Sequence, residues 1–332
     1  MNDEILEKMI SEFLYLSFTN NVFAWQGGEP ALMGLDFYKR AVELQKKYIK
    51  RGMTLTNSFQ TNATLLDKNW CKFFSEHNFL VGISLDGPKH FHDYYRKDFA
   101  GNPTFDKVIN SIELCRQNNV EFNVMVLLND KNIKCPNELF DFFVENNFKY
   151  LQFIPCVEKD AQTGKIADFS ITGDEYGQFM FQIFERWKEF GVTKLSIGLF
   201  DSIINYFVHG CHSNCAFQRI CDDYIVLEHN GNAYCCDFFV DEDTKLGNIM
   251  KTSINDLFNS PVKKGFASRK KQLCHKCFVC HYSEICRGGC LKDRIVIDKQ
   301  FSNPSHLCDG YKMIFEKIAP QLAAIAGEFL QK

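Results

Sequence analysis

The sequence predicts an α/β protein built on a parallel sheet and followed by a smaller, cysteine-rich α+β region. Two observations carry this expectation. Between residues 1 and 200, short apolar runs rich in Val, Ile, Phe and Leu alternate with longer helical patterns. Strands separated by helices pair in parallel, as an open doubly wound sheet or as a full or partial barrel. The 15 cysteines are also unevenly spread: Cys71, Cys115, Cys135 and Cys156 are scattered over the first 210 residues, and the other eleven crowd the remaining 122.

The chain opens with "MNDEILEKMISEFLYLS", in which charged and apolar residues alternate at helical spacing without the uninterrupted apolar stretch of a signal peptide. The strand candidates are "NVFAW" (21–25), "MTLTNSFQ" (53–60), "FLVGISL" (79–85), "EFNVMVLL" (121–128), "YLQFIP" (150–155) and "LSIGLF" (195–200). Between the first two lies "LDFYKRAVELQKKYIKRG" (35–52), a helical pattern with Gly52 as its C-terminal cap. In parallel α/β sheets the chemistry gathers where strands end. "QGGEP" (26–30), "QTNATL" (60–65) and "SLDGP" (84–88) stand at three such ends. Gly27 and Gly28 let a ligand approach the backbone, Glu29 suits an ammonium group, and Arg96 in "YYRKD" suits a ligand carboxylate. Each alone reads as turn or surface chemistry, and their register on one rim points to a small-molecule site. The four early cysteines sit among apolar residues, as buried thiols do, and are given no chemistry.

Lys and Arg number 38 against 41 Asp and Glu, a net charge of -3 that gives no electrostatic reason to expect nucleic acid. No apolar run approaches the roughly 18 residues of a membrane helix, so no membrane partner is expected. The expected compartment is the cytoplasm, where thiols stay reduced and clustered cysteines more often bind metal than form disulfides.

Past residue 208 the cysteines organise the pattern. "YIVLEHNGNAYCCDFF" (224–239) reads as a hairpin with an Asn-Gly turn at 230 and 231 and a second strand delivering Cys235 and Cys236. Cys277 and Cys280 form a CxxC, followed by Cys286, Cys290 and Cys308. A zinc ribbon wants two CxxC knuckles roughly 15–20 residues apart, whereas only five residues separate Cys280 from Cys286. Eleven thiols suit two four-cysteine iron-sulfur clusters better than one zinc ion or a set of disulfides, and all three remain open on spacing alone.

"FAWQGGEPALMGLDFY", "SFQTNATL", "GISLDGP", "RKD", "LQFIPC", "CCDFFV", "LGNI" and "CRGGC" occur together and in order. In this combination the chain resembles the anaerobic sulfatase-maturating enzymes, radical S-adenosylmethionine (SAM) enzymes that carry a SPASM twin-cluster domain. The resemblance spans nearly the whole chain and implies a partial TIM-type (β/α) barrel over 1–208, here missing its first strand. A small cysteine-rich α+β SPASM domain over 209–310 and a C-terminal helix over 311–332 would follow. It implies oxidation of a Cys or Ser in a sulfatase precursor polypeptide to formylglycine, with a ferredoxin or flavodoxin as electron donor. Carried over residue by residue, Cys215, Cys221, Cys236 and Cys290 would hold the first auxiliary 4Fe-4S cluster, and Cys277, Cys280, Cys286 and Cys308 the second. Cys211, Cys235 and Cys274 have no counterpart. Asp237 would accept the substrate's proton. Gly28, Ser84, Arg96 and Val157 would bind SAM, with the backbone around Gln26, Gly27, Gly28 and Glu29 meeting its methionyl amino group.

The sequence departs from the family in one respect. The N-terminal CxxxCxxC whose cluster cleaves SAM has no match, since no cysteine precedes Cys71. The expectation is a truncated form unable to cleave SAM by itself. The alternatives are another SPASM peptide-modifying enzyme, forming thioether or carbon-carbon crosslinks, and a non-catalytic iron-sulfur or zinc protein.

Overall fold

The computed structural model describes residues 1–296 and 300–330. Helices and strands alternate as α1 (Asp3–Tyr15), β1 (Asn20–Trp25), α2 (Leu35–Tyr48), β2 (Thr54–Thr61), α3 (Lys68–Glu76), β3 (Phe79–Ser84), α4 (Lys89–Tyr95), α5 (Phe105–Gln117), β4 (Phe122–Leu128), α6 (Pro136–Glu145), β5 (Tyr150–Pro155), α7 (Gly173–Phe190), β6 (Ser196–Ile197) and α8 (Gly198–His209). The six strands form one sheet in the order β1-β2-β3-β4-β5-β6, and β1·β2, β2·β3, β4·β5 and β5·β6 are parallel. β1 and β6 are its edges, so the barrel is not closed.

All six expected strands form, and one helix and one strand differ in extent. α2 ends at Tyr48 rather than running to Gly52, and Gly52 instead takes a left-handed turn (φ 88°) before β2. β6 keeps only Ser196 and Ile197, because the Ser196 hydroxyl donates to Asp201 (2.5 Å) and the chain turns into α8, where Leu199, Phe200 and Ile203 are buried.

The C-terminal third contains β7 (Val226–Leu227), β8 (Asn232–Tyr234) and β9 (Lys245–Asn248), a three-stranded antiparallel sheet. The expected Asn-Gly turn is present, with Gly231 at φ 84°. Its second strand stops at Tyr234: Cys235 still bonds through its N–H to Thr244 O (3.1 Å), while Cys236 lies beyond the strand in a single-residue bridge to Phe239. The helices here are α9 (Ile254–Phe258), α10 (Pro261–Arg269), α11 (His275–Phe278), α12 (Ser283–Cys286), α13 (Leu291–Ile295), α14 (Cys308–Lys317) and α15 (Ala319–Leu330). Among the described residues no helix is long and apolar enough to cross a membrane.

The chain divides into two compact units that interleave in sequence. The first comprises Met1–Ile83, Lys107–Phe122 and Cys221–Ser268. Its core is aromatic: Tyr38 and Trp70 pack on Phe59, which also meets Phe74 at 5.0 Å between ring centres. α1 enters this unit by capping, its first turn held by the Asn2 side chain on Ile5 N (2.9 Å), and buries Leu6, Ile10 and Leu14. The second unit comprises Ser84–Asp106, Asn123–Ile220 and Arg269–Lys332. There Phe184, Trp187 and Phe200 form one aromatic group, and α14 crosses α7 at glycines. A Cβ built on Gly310 would collide with Gly173 O, and one on Gly177 would stand 2.8 Å from Gly310 Cα, so the two backbones touch without side chains between them.

Candidate functional site

In the first unit, Gln26, Gly27, Gly28 and Glu29 follow the C-terminal end of β1. Gly27 and Gly28 both have positive φ (93° and 54°) and no protein atom lies within 4 Å of where a Cβ would be, so this backbone is exposed on an open side. Glu29 holds the loop in that shape. Its carboxylate accepts from Ala31 N (3.0 Å), the Thr61 hydroxyl (2.8 Å) and Asn62 N (2.8 Å). A carboxylate has about four acceptor sites, so Glu29 spends three on its own chain and Oε2 keeps one.

The segment 221–237 belongs to the same unit. Asp237 is exposed, and both of its oxygens are oriented: the Tyr224 hydroxyl donates to Oδ1 (2.8 Å) and the Gln26 amide donates to Oδ2 (3.1 Å). The Cys236 thiol lies 3.3 Å from Oδ1 and 3.4 Å from the Tyr224 hydroxyl. Burial pushes the Cys236 thiol up to about 12, with the Asp237 charge adding to the effect. The sequence gives Tyr224 no functional sign, because its place in "DDYIVLE" looks like ordinary strand.

In the second unit, Ser84 ends β3 half-buried, and Val157, two residues past β5, is completely buried. The carboxylate that Arg96 grips is one of its own chain. Its Nε and Nη2 donate to Asp86 at 2.5 and 3.0 Å, and Asp86 Oδ1 also accepts from Leu127 N (2.9 Å). The pairing belongs to a closed ring. Asp86 N–H donates to His92 Nδ1 (3.3 Å), His92 Nε2 pairs with the Thr104 hydroxyl (3.1 Å), and that hydroxyl donates to Arg96 O (2.8 Å). Because Nδ1 accepts and the hydroxyl proton goes to Arg96 O, His92 is the neutral Nε2–H tautomer. Burial first, and then the Arg96 charge, push its pKa down to about 4.

The same unit gathers Cys277, Cys280, Cys286 and Cys308 around one cavity, with Tyr311 and Phe315 also on its wall. Cys274 stands beside it, its sulfur 3.5 Å from that of Cys277. Cys277 is pushed up to about 12 and Cys286 to about 11, in both cases mainly by burial. Cys290, pushed up to about 12 by burial, feels the charges of Cys215 and Lys270 as neighbours. Among the described residues no three His, Cys, Asp or Glu side chains converge on a single-ion position. Four thiols framing a walled space fit the donor set and spacing of a 4Fe-4S group, whose cysteines occupy separate corners. Of the early cysteines, Cys71, Cys115 and Cys156 are buried and Cys135 half-buried, with Cys71 and Cys115 in sulfur contact at 3.7 Å.

Residues 2–143 match the model of the radical SAM superfamily, and residues 215–281 match an iron-sulfur cluster-binding domain of the SPASM type. The fold and its cysteine sites therefore define a radical SAM oxidoreductase with SAM and 4Fe-4S clusters as its cofactor classes. A serine-type anaerobic sulfatase-maturating enzyme of Bacteroides thetaiotaomicron is 37% identical over all of this chain and 84% of its own length. A cysteine-type anaerobic sulfatase-maturating enzyme of Clostridium perfringens is 35% identical over 98% of this chain and 89% of its own. The solved structure of native anSMEcpe with bound AdoMet and Cp18Cys peptide superposes with a TM-score of 0.93 at 34% identity, covering 99% of this chain and 92% of that one. The chain belongs to the anaerobic sulfatase-maturating enzymes.

Proposed function

We propose that this protein oxidises a Cys or Ser side chain of a sulfatase precursor to formylglycine. The observation that carries the reading is the Asp237 carboxylate, exposed and oriented by Tyr224 and Gln26 beside the thiol of Cys236. Asp237 Oδ1 accepts from Tyr224 and from the Cys236 thiol, whereas Oδ2 accepts from Gln26 alone and keeps a second acceptor site, so through Oδ2 the carboxylate can take the proton of the substrate's thiol or hydroxyl without losing its orientation. When bound, SAM and the 4Fe-4S clusters supply hydrogen abstraction from the substrate Cβ and take up the electrons. Cys215, Cys221, Cys236 and Cys290 are assigned to the first auxiliary cluster, and Cys277, Cys280, Cys286 and Cys308 to the second. Gly28, Ser84, Arg96 and Val157 are assigned to SAM. Arg96 reaches that role through the guanidinium hydrogens that Asp86 leaves unused, and Gly28 through its bare backbone. Residues 1–208 would thus serve SAM and 209–310 the auxiliary clusters, with a ferredoxin or flavodoxin delivering electrons. Turnover also requires a CxxxCxxC cluster, a motif that these 332 residues do not contain.

Anaerobic reconstitution should give roughly eight irons per chain from the two auxiliary clusters. In protein supplied with the CxxxCxxC segment, Asp237→Asn should lower kcat on a Cys- or Ser-containing sulfatase peptide by about 10²–10⁴ while the peptide still binds. Mass spectrometry of the peptide decides: formation of a crosslink in place of an aldehyde would sink the reading, and so would full turnover in the Asn variant.

A further inference from the structure

Two lysines in the cysteine-rich segments are almost sealed from solvent. In the first unit, Lys263 on α10 is 1% exposed, and its Nζ donates to the carbonyls of Cys221 (3.2 Å), Tyr224 (2.6 Å) and Cys235 (3.2 Å). Three acceptors require three N–H donors, which only the ammonium form has, so the geometry itself fixes the charge. In the second unit, Lys270 is also 1% exposed, and its Nζ donates to Ala216 O (2.6 Å) and Gly289 O. The pattern follows the cysteines. Cys221 is itself an assigned ligand, Cys235 precedes Cys236, Ala216 follows Cys215, and Gly289 precedes Cys290. At each of the four cysteines assigned to the first auxiliary cluster, the carbonyl of that residue or of its chain neighbour is held by a buried lysine.

A 4Fe-4S group on four thiolates carries net negative charge that grows by one on reduction. A fixed cation in a water-poor interior therefore favours the reduced form. We infer that Lys263 is a positioning and charge-compensating residue for the first auxiliary cluster, pinning the backbone that presents Cys221 and Cys236 and making the cluster easier to reduce, and Lys270 holds the backbone beside Cys215 and Cys290 in the second unit in the same way. The inference rests on the cluster assignment proposed above.

The test is iron analysis and EPR-monitored redox titration of the reconstituted chain, unsubstituted and as Lys263→Gln and Lys263→Arg. Lys263→Arg should keep the iron content and both midpoints. Lys263→Gln should shift one auxiliary signal to a more negative midpoint by tenfold or more in the reduction equilibrium, about 59 mV for a one-electron couple, and leave the other in place. Full iron with both midpoints unmoved in the Gln variant would overturn the inference. If the Gln variant loses iron, retention by the Arg variant supports a role for charge, and loss by both overturns it. An unsubstituted chain with no 4Fe-4S signal would instead remove the cluster assignment, a result that no lysine variant alone can imitate.

Discussion

Phe59 and Lys263 are both buried in the first unit, and they are held there by opposite physics. Phe59 is completely buried among Tyr38, Trp70 and Phe74, on a strand of eight residues flanked by helices long enough to show their period. Apolar packing of this kind is non-directional and scales with the area removed from water. Lys263 is buried beneath a segment whose strands are two and three residues long, and its neighbours are carbonyl oxygens. Too little regular structure is present there to satisfy the backbone by laddering, so a side-chain cation satisfies it instead. The carbonyls of Cys221, Tyr224 and Cys235 are left over by that short ladder and take their donor from Lys263. Arg294 does the same in the second unit, donating to the carbonyls of Gly288 (2.9 Å), Lys270 (3.1 Å), Gln272 (3.1 Å) and Arg287 (2.6 Å).

The contrast can be broken by substitution. The largest effect is expected at the apolar pole: Phe59→Ala should lower unfolding stability by about 3–5 kcal/mol, read from the denaturant midpoint, with iron per folded chain unchanged. Iron lost in proportion to stability would mean that the two regions are not separately held.

A pH experiment gives the next largest effect and places the Asp86–His92–Thr104–Arg96 ring on the scale. Above pH 6.5, His92 is neutral folded and unfolded, and the ring's contribution is complete. As pH falls from 6.5 toward about 4, the unfolded chain takes up a proton that the folded chain refuses, so stability drops. The fall should total about 3 kcal/mol, and His92→Gln should flatten it. A parent and a variant with equal slopes over that interval would remove His92 as its source.

The smallest effect belongs to the cation clamps. Arg294→Met leaves several carbonyls without a donor at about 1–3 kcal/mol for a buried unsatisfied group, and the expected loss is local, about 2 kcal/mol. Alkylation of Cys286 in the metal-free chain should accelerate at least about tenfold while the main thermal transition stays in place. A shifted main transition with unchanged thiol reactivity would show Arg294 to be ordinary core.

Legibility in the sequence follows the same division. Six strands were readable because apolar runs bounded by turn residues report burial directly, and the ends that failed were those decided by a single contact, such as Ser196 on Asp201. Candidate ligands were readable because cysteine spacing is itself chemistry. Their support was not. "SPVKKGFASRKKQ" reads as a solvated basic run, and nothing in composition separates buried Lys263 from exposed Lys264. One signal was available: Lys263, Phe266 and Ala267 share a helical face, the buried face of α10, so a lysine stood where the period asks for an apolar residue. Asp86 and Tyr224 gave no comparable sign, because their partners are distant in sequence or arrive through a hydroxyl.

The glycine crossing of α14 over α7 has a consequence for how this sequence can drift. A clash between side chains can be relieved by a smaller neighbour, whereas a Cβ at Gly310 would meet the Gly173 carbonyl itself, which no substitution can shrink. A side chain at Gly310 or Gly177 is therefore excluded as long as the helices cross this closely, and no change at a neighbouring position can compensate. Cys308 opens the helix that Gly173, Gly177 and Gly310 seat, so the freedom of this candidate ligand is inherited from three residues with no side chain and no chemistry of their own.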